Sequence, residues 1–391
     1  MKNYKIIRTF HPVGQGGFYT ERHDNFNIVY DCGSIPRRHA DPVVKSAFSK
    51  KEVIHALFIS HFDYDHVSAI ATLIKSVRSI RTVVIPLLED EHRNVLVNIN
   101  RTLSLNILRM IDSPESFFGK HTNIIRVRSS QNPDRDEGDD PIDLIELPIE
   151  PSLQFNKNNS NTMTINSGRP LTLGRASRWV FVPYNYKYKG RHAKLVEELK
   201  LQNFNVKKLQ TDSTYTIHEI IKPATRRKLR KVYDSLDGTV NENSMLLYSG
   251  PSKMVNKGRV CGCKAFSELI GYTDSCLYLC KAGCIYTGDC DLKKIELSNI
   301  YSSYKKYVGV VQVPHHGSKH SFDLKSLDGF TDLICPVSYG TKNRYGHPSA
   351  EVIKEFFLSP FQILSISEKP NSKFEQIFDC PLELQKVGDS K

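Results

Sequence analysis

The seven residues Ser60-His61-Phe62-Asp63-Tyr64-Asp65-His66 place two imidazoles and two carboxylates in one short stretch, directly after the apolar run Val53, Ile54, Ala56, Leu57, Phe58 and Ile59. An apolar run of that length and composition reads as a buried strand. At its mouth His61 and Asp63 project one way, and the loop then turns Asp65 and His66 back toward them. Burying unpaired carboxylates and imidazoles is costly, so four together at a strand end call for metal or for a network of ion pairs. A polar loop with satisfied histidines is the commoner outcome for a single His–Asp pair, and the packed set weighs against it. The fold must therefore be one that opens a strand end onto a site for cations or onto a buried network of ion pairs.

Four more strand ends repeat the pattern. Ile28-Val29-Tyr30 runs into Asp31-Cys32-Gly33, and Cys284-Ile285-Tyr286 into Thr287-Gly288-Asp289. Val308 to Val313 runs into Pro314-His315-His316-Gly317-Ser318, and Tyr345-Gly346-His347-Pro348 precedes a helix. Singly, an Asp after a strand is a turn former or a helix cap. The chain order is the specific signal. It resembles that of the metallo-β-lactamase superfamily: an early strand-end Asp, an HxHxDH-type loop, a later TGD and a final strand-end His. Within it, VGQGG at 13–17, SHFDYDH at 60–66, TGD at 287–289, PHHGS at 314–318 and YGHP at 345–348 resemble the hydrolase domain of the DNA-uptake competence proteins of the ComEC type. The resemblance runs from 13 to 348, with a gap across the middle.

That resemblance implies an α/β chain folded as the αββα metallo-β-lactamase sandwich, and a hydrolase using two divalent metal ions. By the same resemblance His61 and Asp63 hold the first ion, Asp65 and His66 the second, and Asp289 bridges them. A strand-end histidine completes the second: His316, which precedes Gly317, ahead of its neighbour His315. Asp31 would stand behind the ligands, orienting an imidazole or the loop backbone. Catalysis falls to Asp65 and His347, the latter as proton donor to the leaving oxygen; the alternative for His347 is simply to pin the following helix. Ser318 and Ser244 are candidates for binding a phosphate oxygen, and equally for capping. Gly14, Gly16 and Gly17 lack the Lys-Ser/Thr of a nucleotide-binding P-loop, and predict a tight hairpin that brings the first strands over the site.

Three departures from the superfamily pattern matter. Asp63 replaces the usual second histidine, as in the ComEC-type group, and its harder oxygen shifts preference from zinc toward manganese or magnesium. The third metal-binding histidine is absent; Asn241-Glu242-Asn243-Ser244 stands there, which predicts one weaker metal position at Asn243. Ser68-Ala69 replaces a usual Gly-Gly, leaving less room beside the metals.

The sandwich needs only about 200–250 residues, so a 391-residue chain implies an inserted segment, about 129–235, within a single domain spanning 1–391. From 129 to 170 an acidic run and then an Asn/Ser/Thr-rich stretch predict a solvated loop or flap. The net charge of +12 is concentrated between 187 and 231. Arg226, Arg227, Lys228, Arg230 and Lys231 fall on a predicted helix whose apolar side is Leu229, Val232 and Tyr233. Such a helix suits a polyanion, or is a plain solvated face. Six of the nine cysteines lie between 261 and 290 without a CxxC pair, and read as buried thiols in preference to a zinc site. Met1 to Phe10 lacks the apolar core of a signal peptide, and no stretch is apolar enough to span a membrane. The expectation is a soluble, cytoplasmic chain without a membrane channel. Manganese or zinc is the expected metal, with magnesium a further option, and nucleic acid the expected substrate. The leading function is a two-metal nuclease or phosphodiesterase; the alternatives are a small-molecule hydrolase of a lactone, thioester or cyclic nucleotide, and a non-catalytic binding module.

Overall fold

The computed structural model describes residues 3–24, 26–88, 105–130, 145–147, 161–173, 179–187, 191–211, 215, 219, 222, 224–225, 228, 232, 244–252, 261–267, 271–273 and 281–381. In the first of two sheets, Phe26–Cys32, Val53–Phe58, Ser79–Pro86, Asn123–Val127 and Thr162–Ile165 run parallel in that order. Beyond Phe26–Cys32 the sheet continues antiparallel through Phe18–His23, Asn3–Phe10 and Phe374–Pro381 to Cys261–Ser267 and Gly271–Thr273. In the second sheet Gly283–Tyr286, Val308–Val311, Ile334–Ser338 and Gln362–Ile366 are parallel. Met245–Pro251 and Trp179–Tyr186 extend it antiparallel on the other side.

Strand periodicity explains the layering. Successive side chains leave a strand on opposite faces, so Ile28 and Tyr30 enter one core while Val29 enters another. The first core lies between the sheets, where Ile28, Tyr30, Ala56, Phe58 and Val84 meet Phe181, Leu247, Tyr286 and Val310. The outer face of the first sheet, with Val29, Ile54, Leu57 and Val83, packs on Val44 of helix Ala40–Ala47, Leu73 of helix Ile70–Ser76 and Ile107 of helix Leu105–Asp112. The outer face of the second sheet, with Ile285, Val311 and Val337, packs on Val352 and Phe356 of helix Ala350–Phe357. Strands buried on both faces need near-continuous apolar runs, which 53–59 and 308–313 provide apart from His55 and Gln312. The result is a four-layer αββα sandwich, the fold class read from the motif order.

Parts of the expected insertion are built into the sandwich. Trp179–Tyr186 is a buried strand of the second sheet, and Thr162–Ile165 lines an edge of the first. Of the basic helix, Lys228 is exposed and Val232 buried, while Arg226, Arg227, Arg230 and Lys231 lie outside the described residues, as does Asn243. Cys284 and Cys290 are buried thiols, as are Cys32 and Cys335. No helix among the described residues is long and apolar enough to cross a membrane.

The glycine loop is not a two-residue hairpin. Residues 11–17 connect the antiparallel strands Asn3–Phe10 and Phe18–His23 and lie against the loop after Val53–Phe58, Gly17 N donating to Asp65 O at 3.2 Å. A Cβ at Gly16 would stand 2.5 Å from the carbonyl oxygens of Asp65 and Gly33, so only glycine admits this approach.

The core between the sheets also contains an ion pair. Arg8, fully buried, donates from Nε to Glu21 Oε1 at 2.8 Å and from Nη1 to Gln376 Oε1 at 3.2 Å. Glu21 also accepts from Tyr286 OH at 2.9 Å and Ser249 Oγ at 2.7 Å, and His23 Nε2 lies 3.0 Å from its Oε2. Tyr286 and Ser249 belong to the second sheet, so the pair ties the sheets together. Burial pushes the Glu21 carboxyl up, but Arg8 and His23 outweigh it and hold the group below the usual carboxylate range. Glu21→Ala should destabilise the protein by about 3–5 kcal/mol, because it leaves a buried guanidinium unpaired; urea unfolding measures this. The folded pKa being depressed, Glu21 contributes its full stabilisation above the unfolded carboxylate pKa of about 4.3 and loses it as pH falls below that. Glu21→Gln should therefore unfold with a shallower pH dependence below about pH 4 than the wild type.

Candidate metal centre

The clustered Asp and His candidates sit at the carboxyl ends of parallel strands, the end at which open α/β sheets expose their ligand sites. Asp31 ends Phe26–Cys32, and His61, Asp65 and His66 follow Val53–Phe58. Asp289 follows Gly283–Tyr286, and His315 and His316 follow Val308–Val311. A Cβ on Gly288 would lie 2.7 Å from Ser60 Cβ, and its φ of +53° is left-handed; glycine here lets the TGD turn approach the first sheet's loop.

Two overlapping groups result. His61, His66 and Asp289 form one and Asp65, His66 and His316 the other, each with its ligand-competent atoms within 4.8 Å of one another. Hydrogen bonds orient the three rings. His66 Nδ1 lies 2.8 Å from Asp31 Oδ2, and His316 Nδ1 lies 2.8 Å from the Ser338 carbonyl oxygen. Ser60 Oγ, 2.9 Å from His61 Nδ1, donates to Asp31 Oδ2 at 2.7 Å. Ser244 Oγ lies equally close to the same ring nitrogen, at 2.9 Å. His66 and His316 thus donate from Nδ1, and all three rings turn Nε2 inward, the orientation of a metal-ligating imidazole.

The inward nitrogens meet carboxylate oxygens. His66 Nε2 lies 3.0 Å from Asp289 Oδ1 without hydrogen-bond alignment, and His316 Nε2 lies 3.0 Å from Asp65 Oδ2. His61 Nε2 is buried without a hydrogen-bond partner, 3.8 Å from Asp289 Oδ2. On the other side of that oxygen, His315 Nε2 lies 3.9 Å away, with its Nδ1 held by Ser321 Oγ at 2.9 Å. Burial lowers the His61 imidazole to about 3, assisted by the neighbouring His66. Burial works against the His66 cation too, but Asp289, Asp31 and Asp65 prevail and hold it well above the usual histidine range. His316 is raised in the same way by Asp65 and Asp289. His61 is therefore neutral, and its buried Nε2 faces Asp289 Oδ2 at 3.8 Å with no hydrogen bond between them. That is an arrangement for a cation, and nitrogen and oxygen donors of this kind suit a divalent ion.

The remaining candidates are placed as follows. Asp63 precedes the short helix Tyr64–Val67, and its carboxylate belongs to neither group. Asp31 is fully buried behind His66 and Ser60, accepting from Ser60 N as well as from its hydroxyl. Ser244 faces inward rather than toward a phosphate: its Oγ lies 2.9 Å from His61 Nδ1 and accepts from Asp289 N at 3.0 Å. Ser318 is buried, and its hydroxyl accepts from His320 N within its own turn. Ser68, at the Gly-Gly position, holds the loop after Asp31 by accepting from Ser34 N at 3.0 Å. The His347 ring lies 5.7 Å from that of His315, at the edge of the cluster. Burial, with His315 and His316 adding to it, lowers His347 to about 4, so it is neutral at pH 7 and does not carry the proton expected of a ready acid. Ser60, Ser321 and Ser338 were missed as positioning groups; only Ser60, adjacent to His61 in the motif, carried a signal in the sequence.

No family model matches the sequence, and no curated protein matches it. Among solved structures the chain is similar to the metallo-beta-lactamase fold protein YhfI from Bacillus subtilis, with 10% identity, a TM-score of 0.30, and coverage of 95% of this chain and 99% of that one.

Protein purified from manganese- or zinc-supplemented cells should contain up to two divalent ions per chain by elemental analysis, and Asp65→Ala/His66→Ala should contain none. Metal-free wild-type protein would overturn the assignment. An ion entering at neutral pH displaces the protons on His66 and His316, so affinity should rise with pH, by about tenfold per unit for each proton displaced. Chelator competition at pH 6 and pH 8 measures the slope.

Proposed function

We propose that this chain is a metal-dependent hydrolase, and that its substrate is a phosphodiester of nucleic acid. The observation that carries the metal dependence is the buried, neutral His61 Nε2 facing Asp289 Oδ2 across 3.8 Å. His61, His66 and Asp289 would hold one ion, with His315 beside Asp289; Asp65, His66 and His316 would hold the other. With Asp63 outside both groups, the donors are mainly imidazoles and carboxylates, a set that suits zinc or manganese better than magnesium. Divalent ions bound here supply Lewis acidity, lowering the pKa of water toward about 7 and neutralising charge on a phosphoryl centre.

The chain's own residues do the rest. Asp31 and Ser60 keep the His66 and His61 rings turned inward, and Ser338 does the same for His316. His347, neutral and beside His315, would donate a hydrogen bond from its N–H to the leaving oxygen in place of acting as a charged acid. The nucleic-acid reading draws on the ComEC-type motif set and on the basic segment around Lys228, whose exposed ammonium is available to a phosphate.

Plasmid, single-stranded DNA and RNA should be cut by the wild type with manganese or zinc, and not by Asp65→Ala/His66→Ala. If no nucleic acid is bound or cut while a lactone, thioester or cyclic nucleotide is hydrolysed, the small-molecule reading replaces this one. Binding should weaken steeply with salt. Changing Arg226, Arg227 and Arg230 to Ser should flatten the log–log slope by about two to three units, at about 0.7–0.9 per phosphate contact.

A further inference from the structure

The loop between strand Ile334–Ser338 and helix Ala350–Phe357 presents one aromatic ring to solvent beside the site. Tyr345 is 64% exposed. A single exposed aromatic ordinarily needs no explanation, but three features set this one apart. The first is support: one face of the Tyr345 ring lies against His347, with planes 11° apart and centroids at 6.0 Å, an offset stack. His347 in turn lies 5.7 Å from His315, whose Nε2 is 3.9 Å from Asp289. Tyr345 therefore stands at the end of a short row of rings that begins at the candidate metal centre.

The second feature is rigidity. Asn343 clamps the loop from within: its Nδ2 donates to Gly340 O at 2.7 Å and His347 O at 2.6 Å. Its Oδ1 accepts from Tyr345 N at 3.0 Å and His347 N at 3.1 Å. Gly340 N donates to Gln15 Oε1 at 3.3 Å, and Thr341 N to Glu368 Oε2 at 3.0 Å, so the loop base is tied to two other segments. An aromatic ring held on such a backbone loses little entropy when a partner stacks on it. The third feature is charge: Lys342 and Arg344, on either side of Asn343, are both exposed.

We propose that Tyr345, backed by His347, is a stacking platform for an unpaired nucleobase next to the scissile phosphate, with Lys342 and Arg344 facing the neighbouring phosphates. The chemistry is that of single-strand binding sites, where a π-face takes any base and cations track the backbone. A base within a duplex is stacked on both sides and cannot use the platform. The subsite thus selects single strands or frayed ends, and it rests on the nucleic-acid reading above.

The test compares dissociation constants, in EDTA, for labelled single strands with bases and for otherwise identical strands carrying abasic sites, in deoxyribose and ribose versions. Tyr345→Ala should weaken base-bearing strands by about tenfold, within the range of about 1–3 kcal/mol per stacked base. It should leave abasic strands within about twofold, a ratio that a purely structural role of Tyr345 cannot produce. Tyr345→Trp should retain wild-type binding, and the deoxyribose and ribose arms identify which strand the platform serves. An equal loss on abasic strands, or no loss on base-bearing ones, overturns the platform. Wild-type protein that binds and cuts strands while Tyr345→Ala binds them equally well removes the platform alone; wild-type protein that neither binds nor cuts any strand removes the nucleic-acid reading with it.

Discussion

The geometry of the site depends on the Asp31 carboxylate. It is fully buried, and it accepts from Ser60 N, from Ser60 Oγ and from His66 Nδ1. It orients the His66 ring directly and the His61 ring through the Ser60 hydroxyl, which donates to it. The chain of contacts continues through His61 Nδ1 to Ser244 Oγ, and from there to the backbone N–H of Asp289. One carboxylate that never faces the site thus determines where two imidazoles point and is linked to where Asp289 stands. Charge networks buried at such low dielectric are strong when every member is satisfied.

Each sheet brings half of the site. His61, Asp65 and His66 belong to the first sheet, and Asp289, His315 and His316 to the second, so alignment of the two sheets is part of the chemistry. Polar contacts across the interface keep that register. Tyr30 OH donates to the Met245 carbonyl oxygen at 2.8 Å, and Tyr19 OH donates to Ser338 Oγ at 3.0 Å. Gln312 Nε2 donates to Tyr19 OH at 3.1 Å while its Oε1 accepts from Thr287 N at 3.1 Å. Together with Arg8 and Glu21 these bonds make the interface directional, whereas an apolar interface alone would tolerate sliding.

Left-handed backbone occurs at three residues of the site. His315 and His316 have φ of 47° and 55°, and Asp31 has 53°, all in the left-handed region. Each such residue costs about 1–3 kcal/mol and persists only where its surroundings hold it. Here His315 N donates to Gly288 O at 3.1 Å and Ser349 N donates to Gly317 O at 2.9 Å, locking the turn between the TGD turn and the last helix. The turn sends two consecutive histidines in different directions, His316 toward Asp65 and His315 toward Asp289.

The sequence by itself determined the strands and their ends. Near-continuous apolar runs such as 53–59 and 308–313 can be buried on both faces only in a covered sheet, and the chemistry-bearing residues that follow them fall at strand mouths by covalent necessity. The αββα layering, the grouping of His61, Asp65, His66, Asp289 and His316, and a place for Asp31 behind them were legible only through the resemblance that the order of those motifs carries. Only the tertiary structure decided what local spacing does not encode. Asp63 sits two residues from His61 and from Asp65, yet the loop's turn into the helix at Tyr64 keeps its carboxylate out of both groups. Ser244 was legible as a polar strand-start residue, but its contact with His61 spans 183 positions and exists only because the sheets are stacked. The platform at Tyr345 was equally hidden, since an exposed tyrosine in a loop has meaning only beside the rings that the fold places next to it.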